Sequence, residues 1–151
     1  MDTQIKDWLE SFAECVRRVD YPCARSLFHP DITGYGSLTD AAYGIESLEH
    51  QQWEKVWPHI DDFRFDLDEI NCEISSDLRI AFIHTRWAST GYHPDATTFV
   101  RPGRVTLLLT RENQAAEWKA KHSHFSLDPG TPLATQRPVP KTCPTQVLNP
   151  A

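Results

Sequence analysis

Apolar side chains at Ile5, Trp8, Leu9, Phe12, Val16 and Val19 recur at spacings of three and four, which gathers them on one face of an α-helix. Asp2 or Thr3 stands where a cap is needed, and Tyr21-Pro22 breaks the helix. A short second helix is predicted over residues 22–28, with Asp20 as its cap and a proline in its first turn. His29-Pro30-Asp31 ends it. Residues 32–36 read as a short strand in which Gly34 and Gly36 mark a bend or a close backbone approach. A third helix starts near Gly44-Ile45-Glu46, carries Ile45, Leu48, Gln52, Trp53, Val56 and Trp57, and stops around Pro58, which cannot continue the hydrogen bonding.

From residue 63 the period changes from helical to two. Phe63, Phe65 and Leu67 alternate with Arg64, Asp66 and Asp68, and Ile70, Cys72 and Ile74 extend the same strand to a turn at Ser75-Ser76-Asp77. A strand over residues 78–90 puts Leu78, Ile80, Phe82, His84 and Arg86 on one face and Arg79, Ala81, Ile83, Thr85 and Trp87 on the other. After a loop, residues 101–128 read as a hairpin of two long strands. Strict alternation places Trp118, Ala120, His122, His124 and Ser126 in one row, with Lys119, Lys121, Ser123 and Phe125 opposite. An indole, two imidazoles and a hydroxyl suit a purely apolar core badly, because each buried polar group without a partner costs roughly 1–3 kcal/mol. A partly polar cavity facing that row is the expectation. Helices first and a run of long antiparallel strands afterwards is the order of an α+β domain, with helices on one face of a curved sheet.

Residues 1–128 form one domain of ordinary size, and residues 129–151 a tail with six prolines and no sustained apolar pattern. That tail is either disordered or laid along a neighbouring surface. The net charge of −6 and the scattered Lys and Arg argue against a nucleic-acid partner. Cys15, Cys23, Cys72 and Cys143 lie far apart without a CxxC spacing, as suits buried small hydrophobes or free thiols of a reducing compartment. The first residues show no secretory signal and no apolar stretch is long enough for a bilayer, so a cytoplasmic protein is expected. Phosphate-loop, dinucleotide-glycine and GxSxG patterns are missing, and no cofactor is implied.

The Gly-Arg-Val-Thr strand from Gly103, followed by Trp118-x-Ala-x-His-x-His-x-Ser126, resembles the SnoaL-like branch of the nuclear transport factor 2-like superfamily. Leu27-Phe28-His29-Pro30-Asp31 and the Gly44-led helix fit the same layout. The resemblance spans residues 3–128. It implies a cone-like curved, mixed but mostly antiparallel sheet wrapped around the N-terminal helices, with a pocket between them. Ketosteroid isomerases, polyketide cyclases, scytalone dehydratases and kinase association domains share that fold. The tyrosine and aspartate of ketosteroid isomerases would fall near Phe12 and Gly36, neither of which has the chemistry, so steroid isomerisation is disfavoured.

Two functional classes emerge. One is a small-molecule-binding protein with acid–base catalysis of isomerase, cyclase, dehydratase or hydrolase type, acting on a compact carbonyl or carboxylate compound. His122 or His124 would move the proton, having a suitable ordinary pKa. Tyr35, Trp57, Trp87, Phe99 and Ser126 would line the cavity. Arg104 would hold a carboxylate, or else pair outside the pocket; Arg101 reads as a structural residue beside the Pro102-Gly103 irregularity. His122 and His124 at a spacing of two lack the further ligands that a metal needs, so no metal site is assigned. The other class is a non-catalytic dimerisation, scaffold or ligand-sensing module, its outer sheet face burying Phe65, Ile83 or Phe125 against a second copy. A homodimer suits both classes.

Overall fold

The computed structural model describes residues 2–144. Helix α1 (Thr3–Arg18) is capped by Asp2, whose Oδ1 accepts the Gln4 N–H at 2.8 Å, and it turns its apolar stripe inward. Ile5, Trp8, Leu9, Phe12, Ala13, Cys15 and Val16 are all buried. Asp20 caps α2 (Tyr21–Arg25), accepting the Cys23 N–H at 3.1 Å. Strand β1 (Phe28–Tyr35) comes directly afterwards, so His29-Pro30-Asp31, expected to be a helix stop, already belongs to the sheet. The two-residue β2 (Ala42–Tyr43) leads to the third helical stretch.

That stretch is not one regular helix. It runs as α3 (Ile45–Leu48), a π-helical turn (Glu49–Trp53), α4 (Glu54–Val56) and a 3₁₀ turn (Trp57–His59). A π turn inserts an extra residue and rotates the next helical turn about the axis, and such turns concentrate at functional sites. Strands β3 (Asp61–Phe65), β4 (Asn71–Ile74), β5 (Ile80–Tyr92), β6 (Thr98–Thr110) and β7 (Lys119–Leu127) follow. The single strand expected over residues 63–74 is therefore two, β3 and β4, each pairing antiparallel with β5.

The sheet order is β2-β1-β7-β6-β5-β3, with β4 also on β5; only β1 and β7 run parallel. The fold is the expected α+β cone. Its concave face holds the core, with Phe12 2% exposed at the centre and surrounded by the rings of Trp8, Phe28, Trp53, Trp57, Phe63, Phe65 and Phe125. Phe65, Ile83 and Phe125, expected on an outer face available to a second copy, belong to this interior. Ile80, Phe82 and Val100 carry the exposed apolar surface of the two long strands instead.

The proline-rich tail lies along the domain up to residue 144. Thr135 accepts the Tyr92 N–H and donates to the His59 carbonyl, while the Gln136 and Lys141 N–H groups reach the Tyr92 and Pro58 carbonyls. Its charged anchor is Asp61, which receives Arg137 at 3.1 Å, Lys141 at 2.8 Å and the Tyr92 hydroxyl. Residues 145–151 of the tail lie outside the described residues. Burial alone would raise the Asp61 pKa, but the bonds from Lys141, Tyr92 and Arg137 outweigh it and bring the group down to about 2. The folded value lies below the ordinary one, so this contribution to stability is complete above about pH 4 and fades as the pH falls towards 2. Asp61→Asn is expected to flatten that limb of the stability–pH curve and to expose the peptide bonds around Arg137 to limited proteolysis. Unchanged acid sensitivity in the variant would count against the anchor.

Candidate functional site

The parity of β7 decides what faces the interior. Leu108 pairs with His122, but the next residue, Leu109, pairs with Ala120, so Lys121 is an extra residue and the strand carries a β-bulge there. Before the bulge the buried side chains are Trp118 and Ala120; after it they are Ser123 and, partly, Phe125. The row expected to combine Trp118, Ala120, His122, His124 and Ser126 is thereby cut in two. His122, His124 and Ser126 point to the convex side, opposite Leu108, Thr106 and Arg104. This corrects the expectation that these groups look inward.

The outer groups have their own partners. His122 Nδ1 lies 2.7 Å from the Thr33 carbonyl oxygen and donates to it. The Tyr35 ring stands edge-on to both imidazoles, 5.0 Å from His122 and 5.3 Å from His124. Arg104 is more than half exposed and shares Asp128 with Arg86. Ser126 lies across from Arg104. Since these side chains lie outside the cone, His122→Ala and His124→Ala are expected to change the affinity of a cavity ligand by less than about twofold, read by calorimetry. A tenfold loss in either would contradict the placement.

The cavity inside the cone lies between the third helical stretch and the strands. Its walls include Phe12, Trp53, Trp57, Phe63, Trp87 and Phe125, with Tyr35, Ser37 and Gln52 bordering it. The expected wall residues Tyr35, Trp57 and Trp87 are thus brought together. Phe99 is not: its ring covers Gly91 and packs against His93, 4.5 Å away. The Trp53 and Trp57 rings, four residues apart, stack at 4.6 Å, and Leu48, Gln52, Trp53, Val56 and Trp57, the stripe that the helical spacing predicts, all line the cavity. The Trp87 indole donates to the Arg104 carbonyl at 3.0 Å, which fixes its plane. Gly103 leaves the room it needs, as a Cβ there would come within 2.4 Å of Trp87.

Arg101 supplies the charge. It sits on the inward parity of β6 with Gly103, Val105, Leu107 and Leu109, and only 2% of it is exposed. The guanidinium carbon stands 5.4 Å from the centre of the Trp87 ring. Nη2 donates to Ser37 Oγ at 3.3 Å, while Nε is buried without a partner. Burial alone pulls the group down to about 10, so it remains a cation at neutral pH. No Asp or Glu is among the residues lining this cavity.

Ser37 has an informative hydrogen-bond count. The Leu38 N–H donates to Gln52 Oε1 at 2.9 Å, which orients the amide so that Gln52 Nε2 donates to Ser37 Oγ at 2.9 Å. Ser37 Oγ thus accepts from both Gln52 and Arg101. Among the described residues its own O–H has no protein acceptor and is left as a donor. Gly36 permits this close approach, since a Cβ there would lie 2.5 Å from the Gln52 Cδ. Arg101, Ser37 and Gln52 were all missing from the expected site.

Donors converge here without an acid to meet them, so the arrangement is suited to holding a negatively charged or strongly polarised oxygen. Neither carboxylates nor imidazoles line the cavity among the described residues. The described residues also contain no cluster of His, Cys, Asp and Glu that would hold a metal ion, and no helix long and apolar enough to cross a membrane.

Comparison with known proteins agrees with this architecture. The family described as the SnoaL-like domain matches residues 5–129. Among solved structures, a nuclear transport factor 2-like superfamily protein from Salmonella enterica superposes with a TM-score of 0.69 at 15% identity. The alignment covers 86% of this chain and 92% of that one. A ketosteroid isomerase-like protein from Erwinia carotovora gives 0.68 at 16% identity, covering 83% and 94%. The association domain of C. elegans CaMKII gives 0.64 at 13% identity, covering 82% and 93%. At these identities the likeness is one of fold. No curated protein sequence matches the chain.

Proposed function

Because the chain belongs to the SnoaL-like domain family, in the nuclear transport factor 2-like superfamily, we propose that its cone is a binding site for a small organic anion bearing a carboxylate or a carbonyl oxygen. One observation carries this reading. Arg101 is a buried cation with a free Nε–H, in a cavity that offers it no counter-ion. An unpaired charge held out of water costs several kcal/mol, and such a group persists where a ligand of opposite charge repays the cost.

Arg101 takes the role expected of Arg104, with Ser37 as second donor and Trp57 and Trp87 as walls. His122 and His124 have no part in a proton transfer within the cavity, so the reading is binding, with electrostatic stabilisation of an oxyanion as the chemistry the site itself supports. A ketosteroid isomerase-like and an association-domain fold both contain this architecture, and fold alone does not choose between them. The thiols of Cys15, Cys23 and Cys72, none of them in a disulfide, fit a reducing, cytoplasmic setting. We also infer a homodimer through the convex face, where Ile80 and Phe82 are each more than two-fifths exposed beside His84.

Native mass spectrometry of the protein as purified tests the reading. A subunit count of two is expected, with an adduct of low mass that disappears in Arg101→Met. Retention of the same adduct by that variant would remove the role assigned to Arg101.

A further inference from the structure

We infer that the anion is a carboxylate of one or two carbons, the size of formate or acetate, its oxygens held by Arg101 and Ser37 and its short apolar end turned to the aromatic walls; this rests on the anion-binding reading above. Size, rigidity and charge each narrow the class.

Inside the cavity the space open to the centre of a water molecule is about 40 Å³. One water needs roughly 10–15 Å³ on that measure, so about three or four non-hydrogen atoms fill the site. A benzene-sized guest occupies a cavity of about 150 Å³. Rings and longer chains therefore exceed what the cone holds.

The walls are braced against widening. Trp53 and Trp57 stack at 4.6 Å, Phe63 and Phe65 meet edge-on at 5.3 Å, and Phe63 stands 5.7 Å from Trp87. The Trp87 indole is in turn fixed by its bond to the Arg104 carbonyl. A larger guest would have to displace several rings together, which a close-packed interior resists.

One guanidinium is the only ionised group lining the cavity among the described residues, so it matches a monoanion rather than a phosphate dianion. The Arg101 Nε–H and the Ser37 O–H both lack a protein acceptor among the described residues, and the two oxygens of a carboxylate supply one to each. A neutral amide of the same shape would bring its own N–H against one of these donors. Nitrate equals acetate in size and charge, but it would set a third oxygen where acetate sets a methyl group, against rings that suit the methyl.

The test is a titration of the intact ¹⁵N-labelled chain in carboxylate-free buffer, followed through its indole N–H resonances. Five probes of graded chemistry are used: acetate, nitrate, acetamide, butyrate and benzoate. A ligand of four non-hydrogen atoms binds no tighter than roughly 40 μM, so the titrations extend into the millimolar range. Acetate is expected to bind at least about tenfold more tightly than each of the other four. Arg101→Met should weaken acetate by at least about thirtyfold and Ser37→Ala by about tenfold. Butyrate, benzoate or nitrate binding as well as acetate, with the dependence on Arg101 intact, would overturn the short-carboxylate assignment and leave the anion site standing. Acetamide matching acetate, no probe binding, or R101M binding acetate like the wild type would overturn the anion site itself. Ser37 lies in a half-buried turn outside the core, so Ser37→Ala keeps the test decisive should R101M fail to fold. Unchanged acetate affinity in that variant would overturn the two-donor grip on the carboxylate.

Discussion

Arg101→Met is expected to raise the melting temperature of the unliganded protein while abolishing anion binding. A structural arginine does the opposite, since its loss removes bonds that the fold relies on. Arg101 has one long hydrogen bond, to Ser37, and a place over the Trp87 ring. Against these stands the cost of a charge that is 2% exposed and unpaired. Replacing buried charges with apolar side chains of similar volume is often stabilising by about 1–4 kcal/mol. Allowing for the lost contact with the indole, a net gain of about 1–3 kcal/mol is expected. For a chain of this length that is roughly 2–4 °C per kcal/mol. Loss of affinity should reach about 2–5 kcal/mol, the range for truncating one partner of a buried charged pair. Differential scanning calorimetry with and without ligand reads both. A variant that melts several degrees lower and still binds would make Arg101 a structural residue.

Phe12→Ala should have the largest effect on stability, about 3–5 kcal/mol. Its ring is the hub on which seven others converge, at centroid distances between 5.4 and 6.4 Å. Those rings come from both helical stretches and from strands β1, β3 and β7, so no single neighbour can move in to fill the void. A domain of this kind is stable by only about 5–15 kcal/mol, and the variant should therefore unfold at much lower urea. Phe12→Leu, which keeps most of the volume, should cost less than about 1.5 kcal/mol. Equilibrium urea unfolding of both variants measures the difference. A loss below about 1 kcal/mol for Phe12→Ala, well under the usual range for such a truncation, would show that the core does not depend on this residue.

Much of the fold was legible because binary patterning survives without tertiary information. The stripe of α1, its Asp2 cap, the alternation of β5 and the order of elements all come from local chemistry. What failed in β7 was the assumption of unbroken pairing. One extra residue at Lys121 moves every later side chain to the opposite face, and no residue type there announces the bulge. Arg101 was a different kind of miss. It shares the odd parity of Val105, Leu107 and Leu109, a signal present in the chain, but Pro102-Gly103 invites the reading that the strand is irregular there. Helical spacing put Gln52 on the right face but could not tell its role, and Ser37 lies in a turn without a period; only the tertiary approach at Gly36 sets Gln52 against Ser37 and Ser37 against the guanidinium. The tail, by contrast, lies against the domain through the ion pairs of Arg137 and Lys141 with Asp61, the hydrogen bonds of Thr135, Gln136 and Lys141, and the single buried side chain of Cys143, none of which forms a periodic signal.

The most direct measurement is the ¹⁵N–¹H resonance of the Arg101 Nε–H, assigned by its loss in Arg101→Met. On titration with an organic carboxylate this proton, buried and without a partner in the free protein, should move downfield and exchange more slowly. A signal that stays in place at saturating concentrations of every carboxylate tried would contradict an anion site at Arg101.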